Sequence, residues 1–129
     1  MQKSTVVRIS ASLGLLAVAL GAFGAHGLKE VLARNEAIAI WEKAVFYHLI
    51  HSVMLFLIAN REPLHCGPWV LFVFGLILFS GSLYLLALTN QRWLGAITPF
   101  GGISFLAGWL WLIVQPIKTA RQENKAHLP

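Results

Sequence analysis

The sequence predicts an all-α protein, a four-helix transmembrane bundle, and three observations lead there. Hydrophobic residues make up 57% of the 129-residue chain and charged residues only 12%, against roughly 45–50% and 25% in an average soluble chain. A chain this short has too much surface for its volume to hide that apolar excess from water, and its mean hydropathy of +0.70 agrees. The charges are also segregated, leaving uncharged runs over 9–28, 44–60, 63–91 and 93–117. In lipid, backbone groups must be satisfied within their own segment, so the runs are read as α-helices. The same composition excludes a soluble enzyme, a nucleic-acid-binding domain and a disordered tail. The whole chain, 1–129, is read as one membrane domain.

A spanning helix needs roughly 20 residues to cross a hydrocarbon core of about 30 Å. The first run follows Lys3 and Arg8 and meets that length. A signal peptide cut near Ala17-Val18-Ala19 is the competing reading. The uncharged run continues past that point to Leu28, so a retained helix is expected near 8–27. The second run is short, but Leu28–Lys43 contains no proline, and a helix over 36–60 with a polar first turn would span. Arg61-Glu62-Pro63 closes it. Pro68 suits the first turn of the third helix, which is expected over 68–89 and ends at Thr89-Asn90-Gln91-Arg92. For the fourth, Thr98 as N-cap with Pro99 at the first helical position opens a helix over 98–117. Residues 91–97 then form an interfacial turn or short helix; the rival is one helix from Trp93 kinked at Pro99. Trp41, Trp69, Trp93, Trp109 and Trp111 fall near run ends or in outer halves of spans, and an interfacial aromatic belt explains most of them better than a cofactor box.

Four spans put both termini on one side. That side carries Lys3, Arg8, Arg61, Lys118, Arg121 and Lys125, and the other Lys29, Arg34, Lys43 and Arg92. The excess favours cytoplasmic termini by the positive-inside rule, while its small size leaves dual-topology insertion open. Net charge is +5, but the basic residues stand singly between apolar runs. They read as membrane anchors, and no nucleic-acid partner is expected.

Small residues recur along the first helix at Ser10, Gly14, Ala17, Gly21 and Ala25, and in the fourth at Gly101, Gly102 and Gly108. Such stripes let helices approach closely in lipid. The competing reading takes Gly101-Gly102 with Pro99 as an unwound segment at a binding site. The packing reading makes Gly14, Ala17, Gly21, Ala25, Gly101 and Gly108 helix-contact positions.

No acidic or basic side chain lies at membrane depth, so a carboxylate-driven antiporter and an arginine voltage sensor lack their working groups. The titratable groups left in the spans are His26, Tyr47, His48, His51 and Tyr84. Buried imidazoles need hydrogen-bond partners, and His26, Tyr47, His51 and Tyr84 are expected to converge near one interface. Ser80 and Thr98 complete this hypothetical polar cluster. Three readings stand: interhelical hydrogen bonding, a polar pocket for a head group, quinone or small solute, and a metal or haem site. A helical HxxH with no carboxylate or thiol nearby is a weak metal signal, so neither metal nor cofactor is expected. Cys66 is the sole cysteine; it can form neither an internal disulfide nor a CxxC pair. His65 and His127 are read as exposed.

One combination of segments is more specific. Gly21-Ala22-Phe23-Gly24-Ala25-His26-Gly27 is followed by Tyr47 with His51, and then by Phe79-Ser80-Gly81-Ser82-Leu83-Tyr84. Thr98-Pro99-Phe100-Gly101-Gly102 and Phe105-Leu106-Ala107-Gly108-Trp109 come last. This order resembles the small bacterial inner-membrane family called domain of unknown function 423, whose eukaryotic relatives are named transmembrane protein 256. The likeness covers roughly 10–115, and the Tyr47–Leu55 stretch fits it more loosely, with His48 outside the pattern. It implies four transmembrane helices in the bacterial plasma (inner) membrane and no established activity. The motif positions it maps here are His26, Tyr47, His51, Ser80, Tyr84, Thr98 and Gly101.

The expected function is therefore that of a non-enzymatic structural or accessory subunit of a membrane assembly. Its partners would be the lipid bilayer and a larger membrane complex or a homo-oligomer. A small-solute channel or carrier with a His/Tyr/Ser-lined path is the alternative, and an intramembrane histidine metal or haem site is the third reading.

Overall fold

A computed structural model describes residues 2–64 and 66–115. Four helical segments in it are long and apolar enough to cross a membrane. The first is α1 (Lys3–Ala25), which runs through Ala17-Val18-Ala19 without a break. A short α2 (Lys29–Arg34) and the corner Asn35-Glu36-Ala37 lead into α3 (Ile38–Ala59). The third span is interrupted: α4 (Cys66–Leu76) passes into a π-helical turn over Ile77–Gly81 and continues as α5 (Ser82–Thr89). A 3-10 turn over Arg92–Ala96 precedes α6 (Thr98–Val114). The part of the fourth helix expected beyond residue 115, the basic residues Lys118, Arg121 and Lys125, and both His65 and His127 lie outside the described residues.

The corners have local causes. Glu36 has φ 52° and Asn90 has φ 55°. The left-handed region is closed to most side chains, and asparagine enters it most readily among the non-glycines, so Asn90 ends α5 there. The Asn35 amide donates to the Ala87 and Leu88 carbonyls, satisfying two acceptors that the end of α5 cannot use itself. That bond ties the α2–α3 corner to the far end of the third span. Thr98 departs from the expected capping role: the N-cap is Ile97, and the Thr98 hydroxyl bonds Ser82 Oγ at 2.7 Å instead.

α3 is the hub, with α1 on one flank and α4, the π-helical turn and α5 on the other; α6 packs on α4 and the π-helical turn. One apolar core, at the end where α1 begins, holds Val6, Leu55, Ile58, Trp69, Phe72 and Phe105; a second, at the opposite end, holds Leu32, Ala37, Trp41 and Ala87. Two tryptophans therefore depart from the expected belt. Trp41 and Trp69 are buried, because each indole N–H finds a partner on α1. Trp41 donates to the Leu20 carbonyl and Trp69 to Ser10 Oγ. Trp93, Trp109 and Trp111 remain exposed on the outer surface.

Small residues explain how α1 and α6 come so close to their neighbours. Ala17 is fully buried, while Ala25 is exposed and turned away from the contact. Gly24, one residue earlier, takes that place: a Cβ there would overlap the Trp41 indole. A Cβ on Gly21 would lie 3.2 Å from Val45 Cγ1, on Gly14 3.9 Å from Ser52 Cβ, and on Gly108 2.9 Å from the Phe72 ring. Gly21→Leu should therefore overpack the α1–α3 contact and destabilise the fold by about 1–3 kcal/mol. Thermal unfolding in detergent reads it, and a wild-type midpoint would mean that α1 and α3 are not packed through Gly21.

At the mouth between the second and third spans, Lys3 pairs with Glu62. The ammonium holds the Glu62 carboxyl below the usual carboxylate range. Glu62 is fully exposed, so the pair adds little. Its contribution is present at neutral pH and fades as the pH falls through that lowered value.

Candidate functional site

A polar layer crosses the bundle between the two apolar cores, and α3 supplies its centre. His48 and His51 lie ten and thirteen residues into that 22-residue helix, about 15 and 20 Å from its start. They are therefore at mid-span, deeper than the interfacial position expected. Both are buried.

His51 is held from every side. Its Nδ1 is 2.8 Å from the Tyr47 carbonyl, one turn back on α3. A carbonyl only accepts, so Nδ1 carries the proton and Nε2 is the free acceptor. The Trp109 indole N–H of α6 donates to that Nε2 at 3.3 Å. The ring lies flat on Phe105, with centroids 3.6 Å apart and planes 10° from parallel, and tilts against Phe72 at 5.4 Å. This fixes a neutral imidazole with both nitrogens in use. A metal ion or a proton arriving at Nε2 would have to displace Trp109. Among the described residues, no group of three or more His, Cys, Asp or Glu side chains is placed to hold a metal ion.

His48 makes the second link. Its Nδ1 is 3.1 Å from the Tyr84 hydroxyl of α5. Tyr84 lies five residues before the end of the third span, and its phenol reaches inward to meet the imidazole while stacking at a tilt against Trp41 at 4.7 Å. Tyr47 packs on Phe79 at 4.4 Å. Ser80 donates from the π-helical turn to the Ala44 carbonyl at 3.0 Å, and Ser104 donates from α6 to the Leu71 carbonyl at 2.7 Å. The Ser52 hydroxyl is buried with no hydrogen-bond partner.

The structure thus divides the six residues expected to converge. Tyr47, His51, Ser80 and Tyr84 belong to the layer. Thr98 lies at its edge through Ser82. His26 does not join: it is the exposed C-cap of α1, close to the level of Trp41 and about 15 Å along the helix axis from His51 by the rise per residue. His48 takes the place assigned to it. The sequence signal was available, since His48 lies at the middle of its span and Tyr84 is the only tyrosine of the facing span. Trp109 as the partner of His51 had no sequence signal, because a tryptophan five residues before a helix end reads equally as a belt residue.

The π-helical turn is the other unforeseen feature. It carries one extra residue through the third span, as such turns do, and brings the Phe79 backbone against α6. A Cβ on Gly101 would overlap the Phe79 nitrogen and lie 2.7 and 2.8 Å from Phe79 Cβ and Cα. The small residues Ser80 and Gly81 end the widened turn and Ser82 follows it, and the two serines bond outward to neighbouring elements.

Comparison with known proteins brings relatives of matching size. A family model described as protein of unknown function (DUF423) matches residues 20–102, a stretch that includes His48, His51, Ser80, Tyr84 and Gly101 and stops short of Phe105 and Trp109. A UPF0382 membrane protein of Staphylococcus epidermidis is 46% identical over 111 residues, covering 82% of this chain and 89% of its own length. The UPF0382 membrane protein YwdK of Bacillus subtilis is 41% identical over 111 residues, covering 81% and 89%. A UPF0382 membrane protein of Staphylococcus aureus is 40% identical over 111 residues, with coverage of 82% and 89%. No solved structure matches.

Proposed function

We propose, from the premise that this chain belongs to the DUF423 family of membrane proteins, that it is a structural or accessory subunit of an assembly in the bacterial inner membrane, with both termini cytoplasmic. The observation that supports this reading is where the polar groups point. His48, His51, Ser80, Ser82, Thr98 and Ser104 are each bonded to another helical segment. A carrier or channel needs polar groups facing a path and free to exchange partners with a solute; these hold helices together instead. His51, neutral and with both nitrogens bonded, offers no free base, in keeping with a non-enzymatic role.

The outer surface supports the same role. α1 exposes Leu15, Val18 and Phe23, and α6 exposes Ile103, Leu106 and Leu110. These faces are free to meet lipid or a larger membrane complex. The test combines two measurements on the same preparation. Cross-linking in cells followed by gentle solubilisation should retain the protein in a species larger than its monomer, with a reproducible stoichiometry. Proteoliposomes should show no solute or ion flux above protein-free vesicles. A monomer in cells together with saturable flux would overturn the proposal in favour of a carrier.

A further inference from the structure

Between the end of α1 and the start of α3 lies a groove of about 480 Å³ that none of the hydrogen bonds above fills. Its volume falls within the range of small-molecule sites, about 300–1,000 Å³. Gly21, Gly24 and Trp41 form its floor, and Val45, Phe46 and Leu49 its wall. The Trp41 N–H is already bonded to Leu20, so the floor offers a ligand only apolar surface. From Glu42 to Leu49 the groove descends about 10 Å along α3, and it opens sideways onto the outer surface of the bundle, where Phe46 is exposed.

The rim is what gives the groove a chemical identity. Lys29 and Glu42 both line it, one charge of each sign at the end nearest the membrane surface. They make no ion pair with each other; among the described residues the sole ion pair is Lys3–Glu62. We propose that the groove holds one phospholipid with a zwitterionic, amine-bearing head group, its phosphate at Lys29, its ammonium at Glu42 and an acyl chain along Gly21, Gly24 and Trp41. The charge pattern selects the head group. An anionic glycerol lipid meets Lys29 but brings no cation to Glu42. A choline head group is attracted to Glu42 but has no N–H to donate to it. A wholly apolar helix seated in the groove would leave both rim charges without partners.

The site stands apart from the accessory role, since an annular lipid can bind a carrier as well. The full-length protein, delipidated in mild detergent, is titrated with phosphatidylethanolamine, phosphatidylglycerol and phosphatidylcholine of identical acyl chains. Bound stoichiometry is read by native mass spectrometry. All three phosphates meet Lys29, so the preference rests on the single hydrogen-bonded pair at Glu42 and should be about two- to fivefold in favour of the ethanolamine lipid. Glu42→Gln should abolish its preference over the glycerol lipid, and Lys29→Gln should weaken all three. Ala25→Phe, at an exposed position on the groove's edge, should block binding without entering the core; far-UV circular dichroism and monodispersity identify the folded variants. Equal binding of the three lipids, tighter binding of the glycerol lipid, a preference unchanged in Glu42→Gln, or a dimer that forms through this face in place of lipid would each overturn the proposal.

Discussion

Gly101→Ala should destabilise the bundle by about 3 kcal/mol, the upper part of the overpacking range, while Gly102→Ala next to it should be neutral or stabilising. The contrast follows from where each new methyl would go. At Gly101 it overlaps the Phe79 backbone nitrogen and approaches Phe79 Cα to 2.8 Å. A backbone cannot swing aside as a side chain can, so α6 must back away from the π-helical turn as a unit. That movement would loosen the Ser82–Thr98 and Ser104–Leu71 bonds and the seat of Phe72 against Gly108. At Gly102 the nearest atoms are on the Phe79 ring at 3.9 Å, an ordinary van der Waals contact. Alanine is favoured over glycine within a helix by about 1 kcal/mol, and nothing there opposes the gain. Unfolding midpoints of the two variants, measured side by side in one detergent, check the pair. Equal midpoints would mean that α6 does not rest on the π-helical turn through Gly101.

That contrast also marks where the sequence is legible and where it is not. Adjacent glycines are indistinguishable in a linear reading; a helix–helix register decides which one touches. The four spans could be read because lipid imposes a length and forbids charge, and both constraints act locally on the chain. The α2–α3 corner could not, since it depends on Glu36 adopting a left-handed backbone and on Asn35 reaching across to Ala87. Which tryptophans leave the belt, Trp41 and Trp69, is not legible for a related reason. An indole near a helix end can face the head groups or find a buried acceptor, and only the approach of α1 supplies Leu20 and Ser10. His26 failed in the opposite sense. Its motif neighbours Gly24 and Gly27 placed it in a specific segment, but Gly24 is there for Trp41, and the imidazole lies outside the contact. The π-helical turn had a trace in Ser80-Gly81-Ser82, which a small-residue packing argument absorbs equally well.

His51→Leu should cost about 2–3 kcal/mol, and about 1 kcal/mol of that loss should vanish when Trp109 is replaced as well. Leucine nearly preserves the volume, so the expected change is not mainly a cavity. Two specific interactions disappear. One is the flat stack on Phe105, worth about 0.5–1.5 kcal/mol for an aromatic pair. The other is the acceptor for the Trp109 N–H. An interhelical hydrogen bond in a membrane contributes about 0.6–2 kcal/mol, and an indole N–H left in hydrocarbon without a partner is unfavourable by a similar amount. Trp109→Phe removes that donor while keeping an aromatic ring against Phe72, which now packs on Trp109 at 5.3 Å. In the Trp109→Phe background, His51→Leu therefore loses only the stack on Phe105. The double-mutant cycle should return a coupling of about 1 kcal/mol between positions 51 and 109. A control pair, His48→Leu with Trp109→Phe, should be additive, because His48 bonds Tyr84 and not Trp109. Chemical denaturation followed by tryptophan fluorescence and circular dichroism gives all six free energies. Additivity at 51 and 109 would show that the imidazole is not locked by the indole, and with it would fall the argument that the mid-span histidine is a fastener unavailable for proton or metal chemistry.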